Sequence, residues 1–182
     1  MSTLISIDPG ESSGCAVIDW RPDAPPILIF AAQSSGGVSG FLGMLVELDP
    51  FLPHSTIISE KFSPRPSGVS GFQQSLKSTL PLVCEGVMIG KGLMPVYTPD
   101  EPRYRSPTLQ YLVGGRSLAD RKKRLHRFLK DSDFYRTGKH LGAPDADDAR
   151  SAMGHGIAYL AREAGNKPAY DLISTWIGGN PV

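Results

Sequence analysis

The sequence predicts an α/β fold in which a five-stranded mixed sheet is flanked by helices. Three observations lead there. Short β-branched segments flank a turn near the start, apolar residues then recur at helical spacing, and beyond residue 54 short strands alternate with helices.

Leu4-Ile5-Ser6-Ile7 and Gly14-Cys15-Ala16-Val17-Ile18 enclose the turn-forming Asp8-Pro9-Gly10, which reads as a hairpin. Ile27-Leu28-Ile29-Phe30, after the Pro-rich turn at 22–26, adds a third antiparallel strand. Over 38–51 the residues Phe41, Leu42, Leu45, Val46 and Leu48 recur at steps of three and four, a helical spacing. Ser55-Thr56-Ile57-Ile58-Ser59 is a short buried strand that ends at Glu60. Residues 63–71, SPRPSGVSG, favour a loop, because Pro removes ladder donors and Gly adds chain entropy. A helix follows over 72–88, interrupted by Pro81 and Gly86, and Met94-Pro95-Val96-Tyr97 is the expected fifth strand. Residues 98–116 are irregular. A basic amphipathic helix spans 117–130, and Pro144-Asp145 opens a long helix reaching about Ala164. One domain is expected over 1–165, with 166–182 a Gly-, Pro- and Asn-containing C-terminal tail.

A chain of 182 residues with 40% hydrophobic residues has the material for one core. Cys15 and Cys84 form no metal-binding or disulfide pattern, which suits a reducing compartment. The longest apolar run, 27–32, is far below the roughly 18 residues of a membrane span, and the start lacks a basic leader, so a cytoplasmic protein is expected. The net charge of +1 conceals a division. Between 103 and 140 there are eleven Lys and Arg against three acids, a net +8, and the remainder carries −7.

Acidic residues stand where strands stop or helices begin: Asp8, Glu60, and the cluster Asp145, Asp147, Asp148. Each has a local alternative. Asp8 before Pro-Gly can initiate a turn, Glu60 can be an ordinary strand-end charge, and Asp145 can be an N-cap with Asp148 at the third helical position. Together they offer what hard divalent cations need, several carboxylate oxygens converging from different elements. Asp145 and Asp148, three apart, share a helix face, whereas Asp147 is turned about 100° from Asp148 and ranks lower.

In their order and spacing, Ile5-Ser6-Ile7-Asp8-Pro9-Gly10, Ile58-Ser59-Glu60-Lys61-Phe62 and Asp145-Ala146-Asp147-Asp148-Ala149 resemble the RuvC-type Holliday junction resolvases of the RNase H-like superfamily. Members of that family are found in bacteria and bacteriophages. The resemblance runs from about residue 3 to 162 and implies an RNase H-like fold. It implies that Asp8, Glu60, Asp145 and Asp148 are catalytic and bind two Mg²⁺ per active site, with Mn²⁺ able to substitute. Such a site cuts a phosphodiester by in-line displacement and leaves a 5′ phosphate and a 3′ hydroxyl. Val113-Gly114-Gly115 and Ala119-Asp120-Arg121 are similar to the family's glycine turn and the helix bearing a catalytic Lys, but Arg121 stands in that place. Arg does not readily release a proton, so its part would be to hold phosphate. Phe62, two residues after Glu60 where the family has an aromatic nearer three, is the candidate wedge into the junction; it also fits a core phenylalanine.

Arg121, Lys122, Lys123 and Arg124 would then contact DNA, since phosphate neutralisation supplies most sequence-independent affinity. A four-way junction needs two symmetric cuts, so a homodimer is implied, and Gly86 and Gly90 make the 72–90 helix the candidate interface. A broader RNase H-like nuclease acting on flaps, branched DNA or RNA–DNA hybrids, and a non-catalytic junction-binding protein, are the alternatives.

Overall fold

The computed structural model describes residues 2–60, 72–93, 117–132, 134, 141–142 and 146–179. Within them the order is β1 (Ser2–Asp8), β2 (Ser12–Arg21), β3 (Ala24–Ser35), α1 (Gly37–Leu48), a 3₁₀ turn (Asp49–Phe51), β4 (Ser55–Ser59), α2 (Phe72–Gly90), α3 (Leu118–Asp131), β5 (Leu141–Gly142), α4 (Asp147–Arg162) and α5 (Lys167–Gly179). The five strands form one mixed sheet in the order β4-β1-β2-β3-β5. β1, β2 and β3 are an antiparallel meander, while β4 joins β1 and β5 joins β3 in parallel.

Alternation along the strands, offset once in β3 where the pairing with β2 skips Ile29, divides the core into two layers. Ile5, Ile7, Cys15, Val17 and Phe30 face α1 and α2, where they meet Phe41, Leu45, Leu48, Cys84 and Met88. Leu4, Ala16, Ile18, Leu28 and Ile58 face the other way, onto α3, α4 and α5. α4 is the central helix of that second layer. It is buried on nearly every side, which its run of Ala, Gly, Met and Ile permits. Gly156 lets it lie close on the sheet, because a Cβ there would come within 2.6 Å of Ile18 and 3.3 Å of Ser6.

One expectation is corrected. The segment after Gly165 is a docked helix, with Ala169 and Trp176 buried in the second layer. Gly165, at φ 71°, ends the preceding segment, and the buried Asn166 starts the new helix. Its side chain accepts from the Ala169 N–H at 2.7 Å and donates to the carbonyls of Arg21 and Ala24. Among the described residues the fifth strand is Leu141–Gly142; the predicted strand 94–97 lies outside them, as does the predicted loop 63–71. Elsewhere the predicted hairpin, β4 and the helices match the observed elements within a few residues, while the third strand, predicted over 27–30, runs over Ala24–Ser35 and takes in part of the predicted turn at 22–26.

Gly14 on β2 lies where α4 begins, and a methyl group there would overlap the backbone carbonyl of Asp148. Gly14→Ala is expected to force the first turn of α4 off the sheet and to cost about 1–3 kcal/mol, read as a lowered urea midpoint with an unchanged slope.

Candidate active site and metal centre

The site follows from strand register. Leu4 and Ser6 face α4, so Asp8, two residues further, faces the same side; Ile58 faces α4 as well, so Glu60 follows it. The parallel pairing matches Ser6 with Ile58 and Ile7 with Ser59, and the Glu60 N–H donates to the Ile7 carbonyl at 2.9 Å. Asp8 and Glu60 therefore end adjacent strands abreast on one face, at the carboxyl edge of the sheet where α/β proteins commonly place ligands. The turn after β1 is held by Ser13, whose Oγ accepts from the Gly10 N–H at 3.1 Å. The Asp8 carboxyl meets Glu60 and Ser151 instead.

The remaining side comes from α4. Its backbone begins at Asp147 with Ala146 at the N-cap, one residue later than the expected cap at Asp145. Asp148 is accordingly the second helical residue and not the third. Asp145 lies outside the described residues. In place of a local cap, Gln33 on β3 reaches across the sheet, and its Oε1 accepts from the Asp148 N–H at 2.8 Å. Gln33 is paired with Gly14, so one residue makes room for the helix start and its neighbour satisfies an orphan donor.

One and two turns along α4 from Asp148 are Ser151 and His155, both buried. His155 Nε2 is 3.5 Å from Glu60 Oε2, its side chain 2% exposed against 38% for Glu60. Asp8, Glu60 and His155 each offer a ligand atom within 4.8 Å of the others. The Asp148 carboxylate stands outside that group, but its charge still acts on Asp8.

Burial, and then the charge and hydrogen bond of Glu60, push Asp8 well above the ordinary carboxylate range, with a smaller push from Asp148; a hydrogen bond from Ser151 opposes them. Burial also acts to raise Glu60, but the hydrogen bond and charge of His155, with a hydrogen bond from Asp8, hold it below its usual value. Of the two, Asp8 is thus the weaker acid and gives up its proton at the higher pH. The folded state retains a proton that the unfolded chain has lost, so the stability tied to Asp8 falls as pH rises through its raised pKa.

Asp147 points elsewhere. Half exposed, it accepts from Lys122 Nζ at 3.1 Å and from Arg150, and these hydrogen bonds, Lys122 first, lower its pKa. Lys122 thereby ties α3 to the start of α4. Arg124 lies over the Trp176 ring, 5.3 Å from its centre, and packs α3 onto α5. Lys123 is exposed and Arg121 partly so. A cleft of about 400 Å³ lined by Ala119, Lys122, Lys123, His126, Asp147 and Arg150 opens beside the first turn of α4. Phe62 lies outside the described residues.

The sequence reading missed His155, Ser151 and Gln33. Asp148, Ser151 and His155 lie at helical spacings of three, four and seven, which would have placed His155 on the carboxylate face. Gln33, 115 residues from Asp148, left no such signal.

No protein-family description and no curated protein matches the sequence. Solved structures do match. A Thermus thermophilus RuvC in complex with Holliday junction substrate superposes with a TM-score of 0.54 and 15% identity, over 91% of this chain and 98% of that one. A second T. thermophilus RuvC structure gives 0.50 and 14%, over 90% and 97%. Asp8, Glu60 and the start of α4 are thus carried by a chain that has the RuvC-like, RNase H-like fold.

Proposed function

We propose that this protein is a divalent-cation-dependent DNA endonuclease of the cytoplasm that resolves four-way junctions by paired symmetric nicks. The observation that carries the reading is the Asp8–Glu60 pair, abreast at adjacent strand ends with the first turns of α4 against them. Two carboxylates brought together in a half-buried site, one of them with its pKa raised, are poorly placed for structural work and well placed for a cation, whose charge would offset their repulsion. Neighbours with the same fold include a RuvC bound to a Holliday junction.

The donor set fits hard divalent ions. Asp8, Glu60 and Asp148, with Asp145 from the same motif, would hold Mg²⁺ or Mn²⁺. Cations held by these residues would offset charge at the scissile phosphate and lower the pKa of a water. The chain's own residues do the rest. The Gln33 bond and the Gly14 contact fix Asp148 relative to the strand ends. Lys123, and Lys122 once a phosphate competes with Asp147 for it, would hold the DNA backbone along the cleft beside α4. That exchange is inexpensive, since an exposed ion pair contributes about 0–1 kcal/mol. Arg121 would hold phosphate, and Phe62 would enter the junction.

A homodimer supplies the second cut. Its proposed surface is α2 with the adjoining α1. Val83, Leu42 and Val46 are exposed there, and a Cβ at Gly86 or Gly90 would meet nothing within 4 Å.

Incubation of a synthetic four-way junction with Mg²⁺, beside a flap, a linear duplex and an RNA–DNA hybrid, is expected to give paired symmetric nicks in the junction alone. Asp8→Asn should abolish them. Equal cutting of the flap or the hybrid would mark a broader nuclease, and cutting that survives Asp8→Asn would refute the site. For the DNA path, Lys122→Ala with Lys123→Ala is expected to reduce the slope of log affinity against log salt for junction binding by about 2. An unchanged slope would place the backbone elsewhere.

A further inference from the structure

His155 is the one member of the donor group that is not a carboxylate, and it is the most deeply buried of the three. Burial of an imidazole beside two carboxylates has a cost that a purely structural helix position would avoid, since the neighbouring positions of α4 are Gly, Ala, Met and Ile. The helix spacing aims it at the strand ends. It stands 3.5 Å from Glu60, longer than a good N–H···O bond and similar to the separation of adjacent ligands around one ion. With bond lengths of about 2.1 Å, two ligands of one ion lie at most about 4.2 Å apart. The three donors, all within 4.8 Å of one another, lie near enough for side-chain shifts of less than about 1 Å to bring them onto one ion.

We propose that His155 is a metal ligand in this site, so that one of the cations is held by Asp8, Glu60 and an imidazole nitrogen, and that this donor biases the site towards Mn²⁺ over Mg²⁺. Mg²⁺ is a hard ion served by carboxylate, carbonyl and water oxygens, whereas later first-row divalent ions accept imidazole and bind the same donors more tightly, with Mn²⁺ at the start of that series. A nitrogen donor in a carboxylate site therefore weakens the claim of Mg²⁺ more than that of Mn²⁺. The inference rests on the reading of Asp8 and Glu60 as cation ligands.

Electron spin-echo modulation of Mn²⁺ bound to the DNA-free full chain tests it, with Mn²⁺ and Mg²⁺ affinities measured by titration. The expected result is ¹⁴N modulation from a coordinated imidazole in the wild type. In His155→Gln that modulation should disappear and the Mn²⁺-to-Mg²⁺ affinity ratio should fall by about tenfold. If His155→Gln does not fold, [¹⁵N]histidine labelling of the wild type decides, because the ¹⁴N pattern must then be replaced. Mn²⁺ that gives no nitrogen modulation, yet is lost in Asp8→Asn, would overturn the role of His155 and leave the carboxylate pair as the metal site. Mn²⁺ binding that is unchanged in Asp8→Asn would overturn both.

Discussion

The parallel pairing of β1 with β4 is the constraint on which the rest of the site depends. It sets Ser6 beside Ile58 and Ile7 beside Ser59, and one step further it brings two carboxylates, Asp8 and Glu60, to the same edge and face. A shift of one residue would turn Glu60 to the opposite face of the sheet, the side of α1 and α2, and part it from Asp8. The hydrophobic alternation that fixes the register for stability thus fixes the carboxylates as well. Burial, and then the nearness of Glu60, raise the Asp8 pKa above that of an isolated carboxylate.

α4 is the counterpart of that pair. It must approach the sheet closely enough for Asp148, Ser151 and His155 to face the strand ends, and small residues on both sides allow it. Gly14 yields to the backbone of Asp148, and Gly156 to Ile18 and Ser6. Gln33 then satisfies an N–H at the helix start, which Ala146 cannot do with its own side chain. Asp147, one residue along, faces α3 and holds Lys122, so a single turn of helix divides its two acids between the strand ends and the basic helix.

Much of this was legible in the sequence because it is local. A strand that ends in Asp-Pro-Gly, a β-branched run that ends in Glu, and the helical spacing within 147–162 each declare themselves over a few residues. The parts that escaped are of two kinds. Asn166, Pro168, Ala169, Leu172, Ile173 and Trp176 carry a capping residue and a helical apolar stripe, so the docked helix after Gly165 has a local signature, masked by the Gly and Pro at its ends. The two-residue β5 and the Gln33 bond have no local signature, since both exist only after distant segments meet. His155 lies between these kinds. Its spacing from Asp148 was visible, while its approach to Glu60 required β4 to be placed.

The central claim is that the sheet holds Asp8 against Glu60 for a cation and at a cost to the fold. Thermal unfolding of the wild type and Asp8→Asn at neutral pH, in EDTA and in Mn²⁺, tests it most directly. In EDTA the variant should melt higher, by about 2–4 °C for each kcal/mol of repulsion and desolvation removed, and Mn²⁺ should raise the wild type alone. A variant that melts lower than the wild type in EDTA, with both proteins indifferent to Mn²⁺, would contradict the account.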